Sequence, residues 1–198
     1  MRIGVLASHE GSLLQSVIDA CRSGELDAKV VLVVSNNSAS GALRRAAAAG
    51  IETAHLSSAT HRDPEELDDA LCRRLSASRV DLVLLAGYMK RLGSRTLERF
   101  AGHIINTHPA LLPKFAGRGY FGRRVHEAVI AAGESETGAT VHWVQGDYDS
   151  GPVLAQKCVR VRPDDTAESL ESRVKVLERQ LLIDTLKSLS RRSATHNI

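Results

Sequence analysis

Apolar residues along this chain fall into short unbroken runs that alternate with stretches of helical spacing. Residues 2–7 form the first run. It ends in Ser8-His9-Glu10-Gly11-Ser12, after which Leu13, Leu14, Val17, Ile18 and Cys21 recur at helical intervals. A second, β-branched run covers 29–34 and stops at Ser35-Asn36-Asn37; Ser40 then opens an alanine-rich helix that ends at Gly50. A polar helix is predicted over 64–75 with Asp63 as its N-cap. The run 80–86, Val-Asp-Leu-Val-Leu-Leu-Ala, is apolar almost throughout, as a strand covered on both faces must be. A short strand over 103–106 follows. Strands alternating with helices through this first half predict an α/β fold: an open, mostly parallel, Rossmann-like sheet with helices on both faces.

The second half reads differently. Residues 109–122 are rich in Pro and Gly and form an ordered loop, with Tyr120-Phe121 as its anchor; 125–132 is helical. Two strands, 140–144 and 153–161, flank the turn Asp147-Tyr148-Asp149-Ser150-Gly151-Pro152 and predict an antiparallel hairpin. A long amphipathic helix runs from 166 to about 189, and 190–198 reads as a polar, disordered tail. No linker or internal repeat interrupts 1–189, so one domain is expected.

Composition narrows the function. Hydrophobic residues are 43% and charged residues 25% of 198, ordinary for a globular chain. Aromatics are only 4%, too few for a base-stacking platform, and a net charge of +3 is no nucleic-acid footprint. Cys21, Cys72 and Cys158 are odd in number and far apart, which predicts a reduced, cytoplasmic protein without a disulfide frame or zinc site. No apolar run reaches membrane-spanning length. None of the eight histidines pairs at HxH or HxxxH spacing, so no metal is expected, and no G-x-S-x-G elbow occurs.

In an open α/β sheet ligands bind beyond the carboxyl ends of the strands. Three polar loops qualify. At Gly11-Ser12 a strand feeds a helix, so backbone N–H groups and the helix dipole could meet an anion; the plainer reading is a βα turn with Ser12 as cap. In Asn106-Thr107-His108-Pro109 the alternation of an extended chain puts Asn106 and His108 on one face, an amide and an imidazole that could hold a developing oxyanion. The plainer reading is a buried, satisfied histidine. In the third loop Asp149 is either turn chemistry or a carboxylate hung over a cleft; near His108 it raises the histidine pKa and keeps it protonated. Arg118, Arg123 and Arg124 offer a phosphate site or a solvated face. Met89 and Trp143 suit either pocket walls or core.

Taken together, these stretches resemble the folate-dependent formyltransferases over residues 1 to about 185. The likeness lies in Gly11-Ser12, Val34-Ser35-Asn36, Leu85-Ala86-Gly87-Tyr88-Met89, the run Asn106-Thr107-His108-Pro109-Ala110-Leu111-Leu112-Pro113, Gly138-Ala139-Thr140-Val141-His142 and Asp149-Ser150-Gly151-Pro152. The Gly-x-x-Val-His strand favours the glycinamide branch over the methionyl-tRNA branch, which carries an extra C-terminal domain.

The resemblance implies a catalytic trio of Asn106, His108 and Asp149. In it His108 is the protonated acid at the oxyanion, Asn106 shares that oxygen and Asp149 keeps His108 charged. It further implies that Met89, Lys90, Arg91, Leu92, Asn106, Gln145, Gly146, Asp147, Tyr148 and Asp149 surround 10-formyltetrahydrofolate. Gly11, Ser12, Leu13 and Glu178 would hold the acceptor, and His142 lies near the centre. Expected partners are small molecules, formyl folate and glycinamide ribonucleotide, in a monomer or homodimer.

The chain departs from the family's Gly-x-Gly-Ser/Thr-Asn loop at His9, Glu10 and Leu13, and has Glu178-Arg179 where Glu-His is usual. Its 114–124 loop resembles a longer family variant, whose arginines could compensate. Two alternatives follow: a formyltransferase for another amine, such as an amino sugar or amino acid, or a non-catalytic folate- or nucleotide-binding module.

Overall fold

The computed structural model of the chain describes residues 1–195. In chain order β1 (Arg2–Leu6) leads into α1 (Ser12–Arg22), β2 (Lys29–Ser35) into α2 (Gly41–Ala48), β3 (Glu52–His55) into α3 (Pro64–Ala77), and β4 (Leu82–Leu85) into α4 (Ser94–Arg99). Then come β5 (Ile104–His108), α5 (Arg123–Ala131), β6 (Glu136–Trp143), β7 (Val153–Arg160) and α6 (Ala167–Thr195).

The strands make one seven-stranded sheet in the order β3-β2-β1-β4-β5-β6-β7. β1 pairs in parallel with β2 and β4, β2 in parallel with β3, and β6 antiparallel with β7. The mostly parallel α/β architecture read from the apolar pattern is therefore the fold. Its local signals hold as well. β4 is buried at every position and β2 at all but Lys29, which explains their unbroken apolar runs. Asp63 accepts from Glu65 N–H at 3.0 Å at the start of α3, and Ser40 from Leu43 N–H at 3.3 Å at the start of α2.

Two elements lie outside the sequence reading. β3, Glu-Thr-Ala-His, is a half-exposed edge strand with no apolar run, and α4 is only 6 residues long. The helix read as ending near 189 continues to Thr195, so residues 190–195 are not the tail that was expected. Ser190 is buried and its hydroxyl donates to Asp27 O, which holds that turn. Residues 196–198 of the expected tail lie outside the described part.

By its internal contacts the chain divides into two compact units, Met1–Ile105 with the segment from Leu186 on, and Asn106–Thr185. The first has Ile3, Leu6, Leu14, Leu32, Leu75 and Leu84 fully buried; the second has Leu170 and Leu182, with Val125, Val129 and Val141. Each such side chain contributes roughly 1.5–3 kcal/mol by leaving water. In the first unit one buried hydroxyl ties three strand ends together: Ser8 Oγ donates to Asn36 Oδ1 at 2.6 Å and accepts from Met89 N–H at 2.8 Å.

Candidate active site

In the second unit two histidines, an asparagine and an aspartate meet. β5 supplies Asn106 and His108, two residues apart and so on one face of the strand. β6 supplies His142, beside a bulge where Val141 pairs with Ala155 but His142 pairs with Val153. The turn after β6 supplies Asp149, at a φ of 55°, a left-handed conformation that aspartate tolerates better than most residues. The loop after β5 adds two backbone groups. Phe115 has a φ of 54° and turns its carbonyl inward; Gly117, at a φ of 90°, turns its N–H inward.

The hydrogen bonds fix the protons. His142 Nδ1 lies 2.8 Å from Trp143 O. A carbonyl only accepts, so Nδ1 carries a proton. Asn106 Nδ2 stands 3.1 Å from Nε2 of that ring and donates to Asp149 Oδ1 at 3.3 Å. Turned the other way, the amide would set its oxygen against the Asp149 carboxylate, so the nitrogen faces inward. His108 Nε2 donates to Phe115 O at 2.7 Å, while its Nδ1 faces Asp149 Oδ2 at 3.5 Å. Asp149 Oδ2 also accepts from Gly117 N–H at 3.0 Å.

This geometry bears on two expectations. His108 was expected to be held protonated by Asp149. It is 3% exposed, and burial drives its pKa below the ordinary value; Asp149 and the Phe115 carbonyl oppose that shift without reversing it, and His142 adds to it. His108 is therefore the neutral, Nε2-protonated form before substrate arrives. Asn106 was expected to share an oxyanion with His108; without substrate its Nδ2 lies against His142 Nε2 and Asp149 Oδ1. For Asp149 burial pushes upward, but the His142 contact, His108 and the Gly117 N–H together hold its pKa below the ordinary carboxylate value. The cluster thus joins one carboxylate to two buried imidazoles.

The remaining expected residues divide by unit. Gly11, Ser12 and Leu13 lie at the start of α1 in the first unit. Gly11, not Ser12, is the N-cap, with a φ of 71°, and no side chain caps the helix. An added Cβ at Gly11 would stand 2.8 Å from Ala42 Cα, so this corner is closed to larger residues. Glu10 is drawn off by Arg44 at 3.6 Å. Met89, Lys90 and Arg91 follow β4 on a surface loop, whereas Leu92 is buried in the core.

In the second unit Gln145, Gly146, Asp147 and Tyr148 are exposed on the turn that carries Asp149. Glu178 is buried in α6. Burial raises its pKa, and the Thr107 hydroxyl, which lies beside it without a formed hydrogen bond, pulls the other way. Arg123 pairs with Glu171 at 3.5 Å and Arg124 stacks on Phe121, so these two arginines are engaged within this unit. Tyr120 and Phe121 are exposed; Tyr120 meets Phe115 edge to face and Phe121 lies against Arg124. Trp143 serves through its backbone. No group of three or more metal-ligating side chains stands together among the described residues. Sequence reasoning missed the Phe115 carbonyl and the Gly117 N–H, because backbone groups carry no residue signature beyond a glycine in a loop.

A third histidine sits behind the cluster. His126 is 1% exposed and its Nδ1 has no hydrogen-bond partner among the described residues. Burial pushes its pKa down to about 4; Glu171 opposes, while Lys175 and His108 add to the fall. The unfolded chain binds this proton near 6.5, so the stability His126 contributes is complete above that value and is lost as pH falls through about 4. Unfolding midpoints measured from neutral pH down to about 4 should therefore fall less steeply for His126→Leu than for the wild type. Parallel slopes would remove His126 from the acid response.

The formyl transferase family model matches residues 1–186. The phosphoribosylglycinamide formyltransferase of Haemophilus influenzae is 41% identical over 180 residues, 91% of this chain and 82% of that protein. That of Mycobacterium tuberculosis is 41% identical over 197 residues, 100% of this chain and 86% of that one. Among solved structures, glycinamide ribonucleotide transformylase 1 from Symbiobacterium toebii superposes with a TM-score of 0.88 at 36% identity, covering 94% of this chain and 86% of that one. The phosphoribosylglycinamide formyltransferase of Bacillus halodurans gives 0.88 at 30% identity, covering 96% and 95%.

Proposed function

The chain belongs to the formyl transferase family, and from that premise we propose that it transfers the formyl group of 10-formyltetrahydrofolate to the amine of glycinamide ribonucleotide, a step of purine synthesis. The observation that carries this reading is the convergence of Asn106, His108, His142 and Asp149 in a chain 41% identical to named enzymes of that activity. The exposed turn 145–148, next to Asp149 in the chain, would meet the heterocycle of the folate. The same reading makes the protein a cytoplasmic enzyme of small molecules. No helix among the described residues is long and apolar enough to cross a membrane.

In this mechanism the neutral amine donates its lone pair to the formyl carbon, and the carbonyl π pair moves onto oxygen. The new oxyanion takes the Nε2–H of His108 in exchange for the Phe115 carbonyl. Negative charge at that spot offsets the desolvation that keeps His108 neutral, so the imidazole gains acidic character as the charge develops. The attacking nitrogen then gives up a proton, which passes through water or His108 to the folate nitrogen, and the anion of Asp149 sits where it can steady the passing charge. The oxygen pair re-forms the carbonyl, the carbon–nitrogen bond to the folate breaks, and that nitrogen takes up a proton.

One observation favours a second acceptor: His9, Glu10 and Leu13 replace the usual residues of the loop at α1. The Arg44 contact of Glu10 weakens that objection, because it holds the carboxylate to α2. An acceptor screen decides. With 10-formyltetrahydrofolate present, glycinamide ribonucleotide should give tetrahydrofolate absorbance in step with product. Silence with that nucleotide and turnover of an amino sugar or amino acid would reassign the substrate. Binding of folate without turnover of any amine would reduce the protein to a binding module.

A further inference from the structure

We propose that Asp68 is a positioning residue for the folate: from α3 it caps α4, which fixes the course of the loop Met89–Leu92, and folate affinity depends on that cap. The inference rests on the formyl-transfer reading above, in which Met89, Lys90, Arg91 and Leu92 meet the folate, and adds a residue that acts through the end of their loop.

α4 has only 6 residues, and Gly93 before it has no side chain to cap it. The N–H groups of a helix's first turn have no partner within the helix. Asp68, buried on α3, provides one. Its Oδ2 accepts from Arg95 N–H at 2.8 Å and its Oδ1 from Thr96 N–H at 3.3 Å. The buried Thr96 hydroxyl donates to the same Oδ1. Three donors thus converge on one carboxylate, as a buried charge requires. Gly93 has a φ of -79° and a ψ of 169°, which any residue can adopt, yet an added Cβ would stand 2.2 Å from Asp68 Cγ. The approach of the carboxylate, not the backbone conformation, excludes a side chain there.

The other end of the loop is tied to the residue after β1 and its neighbour. Met89 N–H donates to Ser8 Oγ at 2.8 Å, and Ser8 N–H donates to Gly87 O at 3.1 Å. Only Lys90 to Ser94 lie between the two held amides, and Leu92 among them is buried. Tyr88 senses the same carboxylate: burial, and after it the charge of Asp68, push its pKa up to about 12. A short segment held at both ends has little freedom left to lose when a ligand binds, so its preset shape adds to affinity. Releasing the Asp68 end makes the ligand order the loop.

Tetrahydrofolate, titrated by calorimetry into the intact protein, is the probe. Asp68→Asn keeps the side chain's size but sets an amide nitrogen against one of the donors; it should weaken tetrahydrofolate binding ~10-fold while KM for glycinamide ribonucleotide moves less than ~3-fold. Leu75→Ala, a fully buried position on the same helix, controls for stability alone. It should lower the unfolding midpoint and leave the tetrahydrofolate Kd within ~2-fold of wild type. Equal weakening by both variants would make Asp68 a residue of general stability and overturn the proposal, as would unchanged binding by Asp68→Asn.

Gly93→Ala drives a methyl group into the carboxylate and should weaken binding as Asp68→Asn does. In an Asp68→Ala background it should add less than ~2-fold, because the group it displaces is gone. Additive losses reject the proposal. Should Gly93→Ala fail to fold, amide hydrogen exchange of ligand-free Asp68→Asn decides. The amides of 89–96 should exchange ~10-fold faster than in wild type, with those of β2 unchanged. Equal exchange at 89–96 overturns the proposal. A wild type that binds no tetrahydrofolate takes down the formyl-transfer reading and this inference with it, whereas wild-type binding that survives Asp68→Asn rejects the inference alone.

Discussion

His108→Ala should lose ~100-fold or more in kcat while the protein still unfolds cooperatively. The imidazole is the one cluster member whose acidic proton can be released to a substrate oxygen at little cost. Its Nε2–H is held by a backbone carbonyl, Phe115 O at 2.7 Å, and that acceptor can be exchanged for a more basic one. Because burial keeps His108 neutral at rest, no resting charge has to be displaced by the incoming formyl group. His108→Gln should fall between alanine and wild type, as it keeps a donor but cannot take on charge. Steady-state assay with glycinamide ribonucleotide gives the comparison; near-normal turnover in the alanine variant would falsify the assignment.

Asp149→Asn should cost a comparable factor, ~100-fold, for a different reason. One oxygen of Asp149 accepts from Asn106 and faces His142, and the other accepts from Gly117 N–H and faces His108. An asparagine must turn its amide nitrogen toward one of these sets, where it meets a donor already in place. Asparagine is also at ease in the left-handed backbone that position 149 adopts, so the substitution spares the turn and removes only the charge. A stability signature accompanies it. The folded pKa of Asp149 lies below its unfolded value, so its contribution is present above the ordinary carboxylate range and is lost as pH falls through the folded value. The variant should therefore lose less stability on acidification than the wild type. An unchanged acid response with unchanged kcat would remove Asp149 from the site.

Both predictions turn on groups far apart in the chain, and that separation marks how much was legible beforehand. The alternation along β5 was enough to put Asn106 and His108 on one face, and the Gly/Pro turn was enough to single out Asp149. Nothing local announced that Phe115 would lend its carbonyl, because the loop 109–122 reads only as rich in Pro and Gly. β3 and α4 escaped for a related reason: a half-exposed edge strand and a 6-residue helix bury too little to impose a period on the sequence.

The chain by itself determined the α/β class, the both-face burial of β2 and β4, and the caps of α2 and α3. Each of these is written in residues within one element, where side-chain period and a single capping oxygen decide the outcome. Only the tertiary structure decided that burial lowers the His108 pKa, that Asn106 turns its nitrogen to Asp149 and that Nδ1 of His142 donates to Trp143 O. Those states are set by lost water and by competition among donors and acceptors 36 and 43 residues apart. A one-dimensional pattern names such groups but cannot weigh them, because desolvation and hydrogen-bond choice exist only once the strands have met.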